Sequence, residues 1–180
     1  FVPLDTDDIH IKRALFFPWS KGISKRLIIQ DIEQFVSKLE LNKIPIMKNL
    51  EINYDRVTSI GIAGTSGGGK SYFLTYLLYV IKRFSDLLIV DPKYDMPSRW
   101  GRDHNVKVIA PRDNRSKSDF VSAVNGELSK SLELINERQQ ILYDNPKVEF
   151  KHYTIVIDEL LALSEGVSKA IKDSFYSLLV

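Results

Sequence analysis

The sequence predicts an α/β protein in which a mostly parallel sheet is flanked by helices. Three observations favour this fold class. Short apolar runs alternate with longer segments that have the apolar spacing of helices. A glycine-rich loop separates one apolar run, residues 57–63, from the helical segment that follows it. Two later apolar runs end in acidic residues. Strands that alternate with helices favour parallel pairing, because the chain returns to the sheet through a helix. Ligands of such sheets gather at the carboxyl ends of the strands.

Length and composition indicate one domain, with room for a small appendage. The chain has 180 residues, and 44% of them are hydrophobic, which suffices for a packed core. The net charge of +2 does not mark a nucleic-acid binder, and the lack of cysteine excludes disulfides and thiolate metal sites. No apolar run approaches the ~18 residues that a bilayer span needs. Because the chain starts at Phe1 and ends within an apolar-periodic segment, we expect it to be a piece of a longer protein.

The first part of the chain is predicted to form an N-terminal appendage, residues 1–43, of helix and irregular structure. The apolar residues of segment 31–41 are spaced so that they fall on one face of a helix, and Asp31 stands near its start. This pattern indicates a short amphipathic helix. Segments 44–46 and 50–54 are then expected to form a hairpin that leads into the core.

The glycine-rich loop is the most informative feature of the sequence. Residues 57–63 are predicted to be a short buried strand, and residues 72–83 a helix. The residues between them match the pattern G-x-x-x-x-G-K-[ST], which marks a phosphate-binding loop when a strand precedes it and a helix follows it. They are Gly64, Thr65, Ser66, Gly67, Gly68, Gly69, Lys70 and Ser71. The alternative is an ordinary glycine turn.

The residue types of this loop suit a polyphosphate. Glycines allow the backbone to curl so that several N–H groups converge, and the following helix adds its unpaired N–H groups and the positive end of its dipole. We expect Lys70 to contact the β- and γ-phosphates and the Ser71 hydroxyl to bind Mg²⁺. Tyr72 is assigned to the same nucleotide-binding segment.

Two further strands and a long helix follow the loop. Residues 87–91 are an apolar run that ends in Asp91, which is expected either to lie near the nucleotide or to cap the next loop. Residues 106–109 are a possible third strand. Residues 118–143 are predicted to form a long helix that Asn145 and Pro146 terminate, and Gly126 inside it costs about 1 kcal/mol relative to alanine.

A last strand, residues 153–159, ends in Asp158 and Glu159 and has the pattern of a Walker B strand. Its apolar residues are expected to be buried between helix layers. Asp158 would then hold Mg²⁺ and Glu159 would orient the attacking water, so that Lys70, Asp158 and Glu159 are the candidate catalytic residues. The alternative is two solvated acids after a core strand. A final helix is predicted from residue 167 to the end.

Several of these segments resemble one family of motors. Segments 64–71, 88–93 and 156–160 resemble the FtsK/SpoIIIE family of DNA-pumping ATPases, and the Asp-Pro-Lys at 91–93 is the most discriminating element. Segments 85–93, 97–100 and 157–166 look most similar to the coupling proteins of conjugative elements in Gram-positive bacteria. The resemblance covers about residues 44–180 and implies that they are a partial, C-terminally truncated, RecA-like P-loop NTPase domain.

The resemblance also implies an activity and partners. It implies hydrolysis of ATP with Mg²⁺, a hexameric ring of identical subunits, and translocation of double- or single-stranded DNA. In conjugation it further implies a relaxase, secretion-channel proteins, and a location at the cytoplasmic face of the bacterial cell membrane. Membrane segments outside this soluble fragment would anchor it there. The sensor residue and the arginine finger are expected beyond Val180.

One local excess of charge is relevant to DNA. The segment from 93 to 117 carries seven basic residues against three acids. Phosphate contacts are one interpretation, and a solvated loop or an ion-pair surface between subunits are others. Arg115 and Arg138 are candidates for acting on a neighbouring subunit's γ-phosphate. The basic residues are Lys93, Arg99, Arg102, Lys107, Arg112, Arg115 and Lys117.

Two other functions remain open beside the DNA motor. The same residues fit a motor that moves proteins in a secretion system. They also fit a nucleotide-binding adaptor in which residues 1–43 dock substrates to a channel. A small-molecule kinase is disfavoured, because no arginine-rich lid pattern follows the phosphate loop.

Overall fold

The computed structural model describes residues 2–3, 13–14, 26–111, 116–164, 169 and 173, and it has the α/β architecture that the sequence predicts. Five helices are described: α1 (Ile32–Ser37), α2 (Lys70–Ile81), α3 (Met96–Asp103), α4 (Lys117–Asp144) and α5 (Leu160–Ser164). Seven strands are described: β1 (Val2–Pro3), β2 (Arg13–Ala14), β3 (Lys43–Met47), β4 (Leu50–Asn53), β5 (Ser85–Val90), β6 (Lys107–Ile109) and β7 (His152–Ile157).

The central sheet is parallel and has the order β6-β5-β7 in the described chain. β5 pairs with β7 along its whole length, with Val90 opposite Ile157, and with β6 on its other side. The ladder continues past the strands, because Asp158 N–H donates to the Val90 carbonyl at 2.9 Å and Asp91 N–H donates to the Ile109 carbonyl at 3.0 Å. The acidic ends of β5 and β7 therefore lie side by side, at the carboxyl ends of the strands.

Helices cover both faces of this sheet. Leu87 and Ile89 of β5 point to one face, where they pack with α1, α2 and α3 in a cluster that includes Leu78 and Trp100. The next residue, Val90, points to the other face and packs against α4. The alternation of β5 side chains thus builds a three-layer core with buried residues on both sides of the strand.

Local sequence explains the bounds of the main helices. α4 begins with a capping box, in which the Ser116 hydroxyl accepts from Asp119 N–H at 3.1 Å and the Asp119 carboxylate accepts from Ser116. It ends at Asp144, and the C-cap Asn145 and then Pro146 follow, as the sequence predicts. α1 begins behind Asp31, whose side chain accepts from Gln34 N–H, and its Val36 packs in the cluster with α2.

One predicted strand is wrong. Residues 57–63, ahead of the phosphate loop, make no ladder in the described chain, and Ile60 and Ile62 are 39% and 36% exposed. A strand needs a neighbour for its N–H and C=O groups, and β7 pairs only with β5 among the described strands. The segment therefore runs as irregular chain into the loop.

Two other expectations at the end of the chain are corrected or untested. β7 is only half-buried along its length, whereas we expected it to be buried, because it lies at the edge of the described sheet. The short helix α5 directly after Glu159 was not predicted. The predicted helix 167–180 lies outside the described residues apart from the helical positions 169 and 173.

The predicted hairpin is present. β3 and β4 pair antiparallel, with Ile44 opposite Ile52.

Among the helices that the structure describes, none is long and apolar enough to cross a bilayer.

Candidate functional site

The predicted phosphate loop is an exposed turn in which glycine occupies two positions with left-handed backbone. Gly67 and Gly69 have φ angles of 75° and 88°, in the left-handed region that disfavours side chains. Gly68 N–H donates to the Thr65 carbonyl at 3.0 Å and closes the turn. A Cβ at Gly68 would lie 3.0 Å from that same carbonyl oxygen. The backbone therefore curls at these glycines, whereas the strand expected ahead of the loop is absent from the described chain.

The loop leads directly into the first turn of α2. Gly69 is the N-cap and Lys70 is the first helical residue, and no side chain of the described chain caps this terminus. Its N–H groups are the donors that a bound phosphate would use. Ser71 and Tyr72 lie in the same turn and are exposed, Tyr72 by 76%. All eight residues from Gly64 to Ser71 thus lie on one accessible surface around the start of α2.

Asp91, at the end of β5, is a capping residue. Its fully buried carboxylate accepts from the N–H groups of Lys93 and Asp95 at 2.9 and 2.8 Å. It also accepts from the N–H and the hydroxyl of Ser98 at 3.2 and 2.6 Å. Of the two roles considered for Asp91, the geometry supports the cap, because its oxygens are used by the loop that starts α3.

Asp158, at the end of β7, lies in a negatively charged and half-buried environment. Burial raises the pKa of its carboxyl, and the nearby charges of Asp91 and Glu159 raise it further. Both effects disfavour the ionised acid in the absence of a cation. A divalent cation beside Asp158 would relieve them, so the residue fits the predicted role of a Mg²⁺ ligand.

Glu159 is held by a lysine from the neighbouring strand end. The Lys93 ammonium lies 2.9 Å from Glu159 Oε1. This ion pair holds the pKa of Glu159 below its ordinary value, and Lys70 contributes a smaller shift in the same direction. The backbone turns at Glu159 with φ 49°, which is unusual for a residue with a side chain. Sequence reasoning did not identify Lys93 as a partner of Glu159, although it placed the two acidic strand ends together.

The charge of Lys70 makes the smallest contribution to the lowered pKa of Glu159, and the structure describes no direct contact between these two side chains. In the described parts of the chain, no group of three or more His, Asp and Glu side chains is arranged to hold a metal ion. A Mg²⁺ ion at Ser71 and Asp158 would therefore take its remaining oxygens from phosphate and water, as Mg²⁺ commonly does in nucleotide sites.

Most of the described basic residues between 93 and 117 have partners within the chain. Arg102 stacks over Tyr94 at 4.8 Å and donates to its hydroxyl at 2.6 Å. Lys107 pairs with Glu127, and Arg99 lies 3.6 Å from Asp95. Arg112 and Arg115 lie outside the described residues.

The second arginine considered for action on a neighbouring subunit also has a partner. The Arg138 guanidinium lies over the ring of Phe150 at 5.1 Å.

The fold and the site together describe an α/β protein with a parallel sheet, two acidic strand ends that lie side by side, and an exposed glycine loop that leads into α2. Comparisons with family models, with curated proteins and with solved structures find no match to this chain.

Proposed function

We propose that this chain binds and hydrolyses ATP with Mg²⁺ as the nucleotide domain of a DNA-translocating motor. One observation carries the nucleotide part of the proposal. A loop with two left-handed glycines opens α2, and no side chain of the described chain caps the N-terminus of that helix. Phosphoryl-transfer sites are built from N–H groups that donate hydrogen bonds to phosphate, a lysine, and carboxylates at the carboxyl ends of strands.

Each residue has a distinct task in this proposal. The backbone N–H groups of 64–71 bind phosphate oxygens, and Lys70 neutralises charge at the β- and γ-phosphates. Ser71 and Asp158 hold Mg²⁺, which supplies further charge neutralisation on the phosphates when bound. Glu159 accepts a hydrogen bond from the attacking water and orients it towards the γ-phosphate. Tyr72, being exposed at the same turn, lines the approach to the nucleotide.

DNA as the cargo rests on the resemblance to the FtsK/SpoIIIE family and to conjugative coupling proteins. In that setting the chain acts in a hexameric ring at the cytoplasmic face of the membrane, and it passes double- or single-stranded DNA, with its relaxase, to a secretion channel. On this proposal the arginines of α3 are exposed and would exchange their partners within the chain for phosphates. The intramolecular partners of Arg102 and Lys107 leave fewer free cations there than the sequence alone indicates.

The test is steady-state ATP hydrolysis with no nucleic acid, with double-stranded DNA and with single-stranded DNA. We expect measurable turnover, stimulation by DNA, and loss of turnover in Lys70→Ala. Lys48→Ala, which changes an exposed lysine in the β3–β4 turn, is the matched control and should behave like the wild type. Turnover that ignores DNA would favour a protein-moving motor, and nucleotide binding without turnover would favour an adaptor.

A further inference from the structure

A contact between two side chains joins the ends of β5 and β7. Lys93 follows β5 and Glu159 follows β7, and the two strands pair as far as Val90 and Ile157. The Lys93 ammonium and Glu159 Oε1 are 2.9 Å apart. The contact therefore bridges the carboxyl ends of two neighbouring strands, where the catalytic groups are proposed to act.

The backbone that carries Lys93 is fixed by buried hydrogen bonds. Lys93 N–H donates to Asp91 Oδ1 at 2.9 Å, and the same carboxylate holds Asp95 and Ser98. Asp91 is fully buried. The lysine side chain consequently starts from a well-defined point, although the side chain is 57% exposed.

Glu159, by contrast, has little else to hold it. Its backbone turns through the left-handed region at φ 49°, and its side chain is 37% exposed. A glutamate of this kind samples several rotamers unless a partner restrains it. Lys93 is the side chain for which the structure describes a direct contact with this carboxylate, and Lys70 acts on it only at longer range.

We propose that Lys93 is a positioning residue that holds the Glu159 carboxylate in the orientation needed to align the attacking water. One carboxylate oxygen is bound to Lys93, and the other is left to accept a hydrogen bond from water. The inference rests on the proposed function, because it gives Glu159 the role of orienting water. Lys93 is distinct from Lys70 in this scheme: Lys70 binds phosphate, whereas Lys93 acts through Glu159.

The expected signature is a loss of turnover without a loss of nucleotide affinity. An exposed ion pair contributes little to the stability of a fold, so Lys93→Met should remain folded. We expect its kcat for ATP hydrolysis to fall roughly tenfold or more, because orientation of water is lost. Its Kd for ATP should stay within about threefold of the wild type, a change of less than about 0.7 kcal/mol. Lys93→Arg, which keeps the charge, should restore most of the turnover.

A matched control is available on the same two strands. Lys151 also links β5 and β7, since its ammonium lies 2.6 Å from the Asp86 carboxylate and its side chain is 53% exposed. It lies at the opposite end of these strands from Glu159, because Asp86 is near the start of β5 and Lys151 directly precedes β7. Lys151→Met should leave kcat unchanged. Equal losses in Lys93→Met and Lys151→Met would show a general effect of lost surface charge and would overturn the inference.

A double variant identifies the route of the effect. If Lys93 acts through Glu159, adding Lys93→Met to Glu159→Gln should lower kcat no further. Independent, multiplying losses would overturn the inference, as would wild-type turnover in Lys93→Met or a weakened Kd that accounts for its lost activity. Absence of turnover in the wild type would contradict the proposed function itself and the inference with it, so the two failures are distinguishable.

Discussion

Ser98 binds the buried carboxylate of Asp91 twice, through its N–H at 3.2 Å and through its hydroxyl at 2.6 Å. These bonds tie the start of α3 to the end of β5. They also fix the loop that presents Lys93. The stability of this loop is thus a precondition for the geometry of the strand ends.

Ser98→Ala should destabilise the protein. It removes a hydrogen bond to a buried charge, and we expect the free energy of unfolding to fall by about 1–3 kcal/mol in chemical denaturation. Ser131→Ala is the control. Ser131 is also buried, but its hydroxyl donates to the Glu127 carbonyl within α4, and alanine is a better helix former. An equal loss in both variants would contradict a special role for the Asp91–Ser98 contact.

Two glycines within helices should respond oppositely to alanine. A Cβ at Gly101 of α3 would lie 2.5 Å from Val108 Cγ2 and 3.0 Å from Ile89 Cδ1, so Gly101→Ala should cost about 1–3 kcal/mol of stability. A Cβ at Gly126 of α4 meets nothing within 4 Å. Gly126→Ala should stabilise the protein by about 0.5–1 kcal/mol, because the glycine weakens the helix. Thermal unfolding measures both, and a stable Gly101→Ala would refute the close helix–sheet contact.

Alanine in the phosphate loop should weaken nucleotide binding where φ is positive. Gly69 has φ 88°, and an alanine there would be strained by about 1–2 kcal/mol. The free variant relieves this strain by leaving the curl, so restoring the curl on binding should cost roughly a 5- to 30-fold loss in affinity. Gly61→Ala is the control, because Gly61 lies just ahead of the loop with nothing within 4 Å of its Cβ. Titration with ATP distinguishes them. Unchanged affinity in Gly69→Ala would mean that this curl of the backbone is not needed for binding.

Glu127 should contribute to stability at neutral pH and lose that contribution in acid. Lys107 and Lys130 hold the pKa of Glu127 below its ordinary value of 4.5. Because the folded pKa is lowered, the stabilisation is present above pH 4.5 and is lost as the pH falls through the folded value. Glu127→Gln should therefore lower the free energy of unfolding at pH 7 by up to about 1 kcal/mol, with a difference that shrinks in acid.

The control for this pH dependence lies on the same helix. Glu137→Gln changes an exposed glutamate of α4, and at pH 7 it should change the free energy of unfolding by less than Glu127→Gln does. A difference for Glu127→Gln that grows as the pH falls would contradict the sign derived from its lysine partners.

The spacing of apolar residues along the sequence predicted β5 and α4 correctly. The apolar run ahead of Asp91 became β5, and the stripe from 118 to 143 became α4, with bounds within about two residues. The run 57–63 looked equally strand-like and is not a strand in the structure. Its sequence carries no information on whether a neighbouring strand is present to accept its hydrogen bonds, and among the described residues none pairs with it.

The candidate site was predictable to the same extent. The glycines, Lys70 and the acidic strand ends follow from recognisable patterns. The Lys93–Glu159 contact does not, because it depends on the register between β5 and β7 and on the turn at Glu159. The capping role of Asp91 likewise required the position of Ser98, seven residues along the chain.

The central claim is that residues 64–71 bind a nucleoside triphosphate, and calorimetric titration of the protein with ATP and Mg²⁺ tests it most directly. We expect saturable binding that weakens at least about tenfold in Lys70→Ala. Lys117→Ala, which changes the first residue of α4 as Lys70 is the first residue of α2, should bind like the wild type. No binding by the wild type, or equal binding by Lys70→Ala, would contradict the account.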